Sequence, residues 1–163
     1  MIDTRFPTAF QIVLMVAVKN REGLRCTSFE LAAGIGSNPS FVRKLLVRLN
    51  QSGILVSSAG KNGGIRLGRP TSEISLHDVY SSVISDKRLW AARDDVPCHC
   101  PVSTHITELF EDVARRAEFA VMGALNDLTI ADTLRRLGDI EQQELQAADL
   151  RGCPQKAESL ETL

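Results

Sequence analysis

The stretch DVPCHCPVSTHI, Asp95 to Ile106, sets Cys98 and Cys100 one residue apart, with His99 between them and His105 five residues further on. Thiols and imidazoles at that spacing have three chemical uses. They can ligate zinc or copper, hold part of an iron–sulphur cluster, or act as oxidisable thiols. The bland alternative is a pair of half-buried connector cysteines. A cluster edge can be surrounded by three thiolates on spaced loop residues, whereas a CxC pair supplies two and needs donors elsewhere, with His99 and His105 in reach by sequence. Which use applies depends on the elements that carry the segment.

A chain of 163 residues with 44% hydrophobic content can bury one core, so one main domain with appendages is expected. The longest apolar run, Ile12 to Val18, ends at Lys19 and is too short to span a bilayer; the start MIDTRFPT lacks the charged region of a signal peptide. The expectation is a cytoplasmic protein, where four cysteines are reduced, ligating or reactive rather than structural disulfides. A formal net charge of −1 conceals a split. Residues 1–70 hold 10 Lys+Arg against 3 Asp+Glu, a net of +7, and residues 71–163 hold 9 against 17, a net of −8. A basic front half suits a polyanion such as double-stranded DNA, and an acidic back half would stay away from it.

Periodicity places the elements. Residues 5–21 read as a helix that is apolar on nearly every side from Phe10 to Val18, with Gly23 as its stop. Thr27 and Glu30 form a capping box that opens a short helix with Leu31, Ala32 and Ile35. Asn38 caps the next helix, Pro39 fits its first position and Gly53 closes it, with Val42, Leu45, Leu46 and Leu49 on one face. Two strand-like runs, ILVSS and IRLGRP, flank the loop AGKNGG and predict a hairpin. A Ser75/Asp78 box starts a further helix, and residues 87–102 read as a connector in which Trp90 is a packing anchor. A long helix is expected from about Ser103 to Asp127, where Ile106, Val113 and Ala120 recur every seven residues with Leu109, Phe110 and Ala117 between them. Thr129 and Asp132 cap a final short helix ending at residue 137, followed by a Gln/Glu-rich tail over 138–163 that reads as partly disordered. The fold class is therefore mainly α with a small β-hairpin. Its DNA-binding part is 1–86, its connector 87–102, and its dimerisation helix and short last helix 103–137.

Residues 28–47 fit a helix–turn–helix. The first helix braces a second whose exposed Ser40, Arg43 and Lys44 can enter a major groove, with Arg48 assigned to the phosphate backbone. The hairpin that follows presents Lys61 and Asn62 as a wing would. No Gly-rich phosphate loop, nucleophile elbow or HExxH motif is present, and an enzyme is not expected. The rival reading is a helix–turn–helix-derived interaction module without DNA binding, which salt dependence distinguishes.

The segments RFPTAFQIVLMVA, NPSFVRKLLVRLNQSGIL, GKNGGIRLGRP, ISLHDVYSSV and LTIADTL together resemble the bacterial Rrf-two winged-helix regulators, the family of IscR, NsrR and CymR, across residues 4–137. The resemblance implies a winged helix–turn–helix with a long dimerisation helix, a homodimeric transcription factor, usually a repressor, on a pseudo-palindromic operator. By position it assigns DNA contacts to Ser40, Phe41, Arg43 and Lys44, and wing contacts to Lys61, Asn62 and Gly63. Cluster-binding members carry three spaced connector cysteines; this chain has Cys98 and Cys100 there. CPV before the long helix instead resembles the cluster-free branch, in which some members sense oxidants or electrophiles through thiols. Cys100 precedes the long helix by two or three residues, where the helix dipole favours a thiolate, although Asp94 and Asp95 oppose the shift. The expectation is a redox- or electrophile-responsive pair without a cofactor, with Cys153 as a resolving thiol; an iron–sulphur cluster-sensing regulator is the alternative.

Overall fold

The computed structural model describes residues 3–60, 63–84, 88–93 and 100–151. Helix α1 (Arg5–Arg21) runs through the centre and buries Ala9, Ile12, Val13, Val16 and Ala17, with Phe10, Leu14 and Met15 packed beside them. An all-round apolar helix needs neighbours on several sides, and α1 has α2, α3, α4 and a strand against it. Helix α2 (Ser28–Ile35) begins at the expected box: Thr27 Oγ1 accepts the Glu30 N–H at 3.2 Å and Glu30 Oε2 accepts the Thr27 N–H at 2.9 Å. That backbone N–H, with Lys19 and the Thr27 hydroxyl, holds the Glu30 carboxyl below its ordinary pKa. Helix α3 (Pro39–Gln51) starts where Asn38 Oδ1 accepts the Ser40 N–H at 2.8 Å and buries Val42, Leu45, Leu46 and Leu49.

Strands β1 (Leu55–Ser58) and β2 (Gly64–Leu67) pair antiparallel, Leu55 opposite Leu67 and Ser58 opposite Gly64. The hairpin is held to the rest from outside. The Ile65 N–H donates to the Cys26 carbonyl at 2.8 Å, and Asn20 Oδ1 accepts the Leu67 N–H at 3.0 Å. A 3-10 turn (Thr71–Glu73) leads into α4 (Leu76–Val83), opened by the Ser75/Asp78 box. Phe6 meets Tyr80 edge-on at 5.3 Å between ring centroids, fastening α4 to α1.

Helix α5 (Pro101–Asn126) is close to the expected length. A short turn then brings the chain back. The Leu76 N–H donates to the Leu128 carbonyl at 2.8 Å, and the Ile130 N–H donates to the Ile74 carbonyl at 2.9 Å, with Ile130 fully buried. Helix α6 (Ile130–Arg151) starts from the Thr129/Asp132 box, as expected, but does not stop at residue 137. It crosses Gly138, which costs about 1 kcal/mol relative to alanine, because the Gln, Glu, Ala and Leu that follow are strong helix formers. The tail expected as partly disordered over 138–163 is thus helical to Arg151, and residues 152–163 lie outside the described residues. Trp90, expected as a packing anchor, is 49% exposed.

Candidate nucleic-acid interface

The axis of α3 sorts its side chains by angle. With the four apolar residues turned to the core, Ser40, Arg43, Lys44, Val47 and Gln51 form the opposite, exposed ridge. Arg43 Nε donates to the Pro39 carbonyl one turn back at 3.3 Å, which lays the guanidinium along the helix's N-terminal end. Ser40, Arg43 and Lys44 therefore share the surface that sequence reasoning assigned to DNA. Phe41 and Arg48 do not. Phe41 is half-buried and packs against the core, and Arg48 Nη1 donates to the Val83 carbonyl at 3.0 Å. Both lie on the flank of α3, about 90° from the ridge by helical rotation.

Sequence reasoning missed two ridge residues. Val47, an exposed aliphatic at 55%, and Gln51 continue the ridge by one turn. The signal was available: Val47 falls at i+4 from Arg43 and i+3 from Lys44, and Gln51 at i+4 from Val47. At the wing, Gly60 has φ +99 and the Gly63 N–H donates to the Gly60 carbonyl at 3.0 Å. Gly63 is buried, and a Cβ there would collide with the Ser58 carbonyl oxygen and the Ala59 backbone, so this corner admits only glycine. Arg25 Nη2 donates to the Gly60 carbonyl at 3.3 Å and supports the turn from α1's side. Lys61 and Asn62 lie outside the described residues, as do Cys98, His99 and Cys153.

The second site is the start of α5. Cys100 is its N-cap: Sγ accepts the Ser103 N–H at 3.4 Å and sits 3.3 Å from the Ser103 Oγ. The hydroxyl of Ser103, its backbone N–H and that of Val102 hold the exposed thiol below its ordinary pKa, in that order of strength. Ser103 also lines a cleft of about 310 Å³ between α5 and Ala91–Arg93, walled by Val102, Ile106 and Phe110. Along α5 the apolar stripe is open: Leu109 is 58% and Val113 63% exposed, Ile106 and Phe110 are partly screened at 36%, and the small Ala117 and Ala120 continue it.

A helix–turn–helix with a two-stranded wing at its exit and a long helix beyond defines a winged-helix transcriptional regulator. The chain belongs to the Rrf2 family, the Rrf-two regulators of the sequence resemblance. The family model described as "Iron-dependent Transcriptional regulator" matches residues 2–136. YwnA of Bacillus subtilis (strain 168), named as an HTH-type transcriptional regulator, is 27% identical over 138 residues, covering 84% of this chain and 99% of that protein. MT1325 of Mycobacterium tuberculosis, with the same type of name, is 32% identical over 74% of this chain and 71% of its own. Among solved structures, a transcriptional regulator from Lactobacillus plantarum superposes with a TM-score of 0.69 at 24% identity, covering 88% of this chain and 98% of that one. CymR, the global cysteine regulator of B. subtilis, superposes at 0.59 with 20% identity over 82% and 95%. These likenesses carry the same fold. The chain is a transcriptional regulator and not an enzyme. No helix among the described residues is long and apolar enough to cross a membrane.

The family description raises iron, and among the described residues no set of donors fits an iron–sulphur cluster. Among the described residues no three His, Cys, Asp or Glu side chains converge. Cys26 is buried in the winged domain, where burial pushes its thiol pKa up, and Cys100 uses its sulphur to cap α5. The connector sequence supplies two thiols in all.

Proposed function

We propose that the chain is a cytoplasmic, homodimeric repressor that binds a pseudo-palindromic operator in double-stranded DNA, with Cys100 and Cys98 as its redox- or electrophile-sensing thiols. The exposed basic ridge of α3 beside a glycine-shaped wing carries this reading. Ser40, Arg43 and Lys44 face the major groove with Val47 and Gln51, the Val47 methyls being suited to a thymine methyl. Lys61, Asn62 and Gly63 form the wing contact. Phe41 and Arg48 leave the contact set, because their side chains pack on the flank. The dimer forms through Ile106, Leu109, Phe110, Val113, Ala117 and Ala120, since an apolar stripe this continuous calls for a partner in water. The test is a DNA titration across salt concentrations. Each phosphate contact contributes a slope of about −0.9 in log K against log salt, and an interaction module that has lost DNA binding gives no such slope.

The signal reading rests on the N-cap geometry of Cys100. A thiolate is the nucleophile, so a lowered pKa moves the alkylation profile to lower pH. Ser103→Ala removes the strongest of its thiolate-stabilising partners. The pH–rate profile for iodoacetamide should then shift upward, with alkylation at neutral pH slowed several-fold, because water replaces part of the lost hydrogen bond at this exposed sulphur. Operator affinity should fall on mild oxidation of wild type and recover with reductant, while Cys100→Ser stays bound throughout. Identical responses from the two proteins would remove Cys100 from the mechanism.

A further inference from the structure

We infer that Arg48 is a positioning residue that fixes the recognition helix to the end of α4, rather than a phosphate contact. The inference rests on the DNA-binding reading for its consequence, but its geometry stands apart from it. Arg48 Nη1 and Arg5 Nη1 donate to one acceptor, the Val83 carbonyl, at 3.0 and 3.1 Å. That oxygen closes α4, where the last carbonyls lack intrahelical donors and the helix dipole is negative. Val83 and Ile84 are buried, so water has poor access to the carbonyl, and two cations satisfy it instead. Arg5 is itself held in place: Asp3 accepts from its Nε at 3.1 Å and from its Nη2 at 2.7 Å.

The arrangement makes α4's last turn a shared reference point. Helix α1 reaches it through Arg5 and the Phe6–Tyr80 ring contact, and α3 reaches it through Arg48. The core face of α3 sets the helix's depth, while Arg48, on the flank, resists rotation about the helix axis. Rotation is the motion that would swing Ser40, Arg43 and Lys44 across a groove. A long, flat, forked donor suits this task better than a point charge.

The test uses full-length Arg48→Met, a random-sequence duplex, and a duplex selected from a random pool by the wild-type protein. Affinity for the random duplex should stay within about twofold with an unchanged salt slope, and affinity for the selected duplex should drop roughly tenfold. Amide hydrogen exchange at Ile84, whose N–H donates to the Tyr80 carbonyl, should speed by a similar factor without DNA present. A slope shallower by about 0.9, with equal losses on both duplexes, would make Arg48 a phosphate contact and overturn the inference. So would unchanged exchange at Ile84. If wild type shows no salt-dependent binding, the DNA-binding reading fails, and the exchange result still decides the tie. Should Arg48→Met not fold, Arg48→Lys serves: a phosphate contact keeps both affinities with lysine, whereas the tie loses selectivity at an unchanged slope.

Discussion

Arg43→Ala is expected to weaken binding to the selected operator by about 5- to 150-fold at fixed salt, the equivalent of about 1–3 kcal/mol for one bidentate base contact. The side chain is exposed at the N-terminal end of the recognition helix, the end that enters the groove in this class of fold. Its described hydrogen bond, to the Pro39 carbonyl, is within its own helix, so the substitution disturbs no tertiary contact in the described structure. Thermal stability should therefore hold to within about 0.5 kcal/mol, as for other surface changes. Selectivity at one base position should relax. Lys44→Ala, by contrast, should weaken all sequences alike if its ammonium serves as a phosphate contact. A gel-shift titration on operator and point-mutated operator separates the two. Unchanged affinity in both variants would mean that α3 does not read DNA.

Val113→Glu is expected to convert the protein to monomers or aggregate and to reduce operator affinity by on the order of a thousandfold or more. Specific regulators bind at roughly 10⁻⁸ to 10⁻¹¹ M, and one half-site carries about half of that free energy. Val113 stands near the middle of α5 with most of its surface open, between the exposed Leu109 and the small Ala117 and Ala120. Across a two-fold axis each glutamate would meet its own copy and the apolar stripe at once, and a buried, unpaired carboxylate is costly. In the isolated chain the position is solvated, so the winged domain should keep its fold and its helical circular dichroism. Sedimentation equilibrium gives the readout. A soluble Val113→Glu dimer with normal operator affinity would place the interface elsewhere.

Much of this architecture was legible because it is local. The boxes at Thr27/Glu30, Ser75/Asp78 and Thr129/Asp132, and the Asn38–Pro39 start, each act within four residues, and each stands in the structure. The α1 core helix announced itself through apolar residues on every side. What the sequence did not show has distant or cumulative causes. Arg48 was read as a contact to the phosphate backbone, and its tie to the Val83 carbonyl gave no local sign because that acceptor lies 35 positions away. Asn20, whose side chain holds β2 by the Leu67 N–H and the Ile65 carbonyl, gave no sign in a run of α1 residues. Gly138 read as a stop because a single residue was weighed against the summed propensity of the thirteen after it.

The two backbone hydrogen bonds that join residues 74–76 to 128–130 also set how α5 can move. They pin its C-terminal end to the winged domain and make it a lever with its pivot near Thr129. Its 26 residues span about 39 Å, with Cys100 at the far end and Val113 near mid-span. A swing of about 4° about the pivot carries the tip through roughly 3 Å and Val113 through roughly half as much. Displacement at the sulphur would therefore arrive at the proposed seam around Val113 geared down about twofold, with its force correspondingly multiplied.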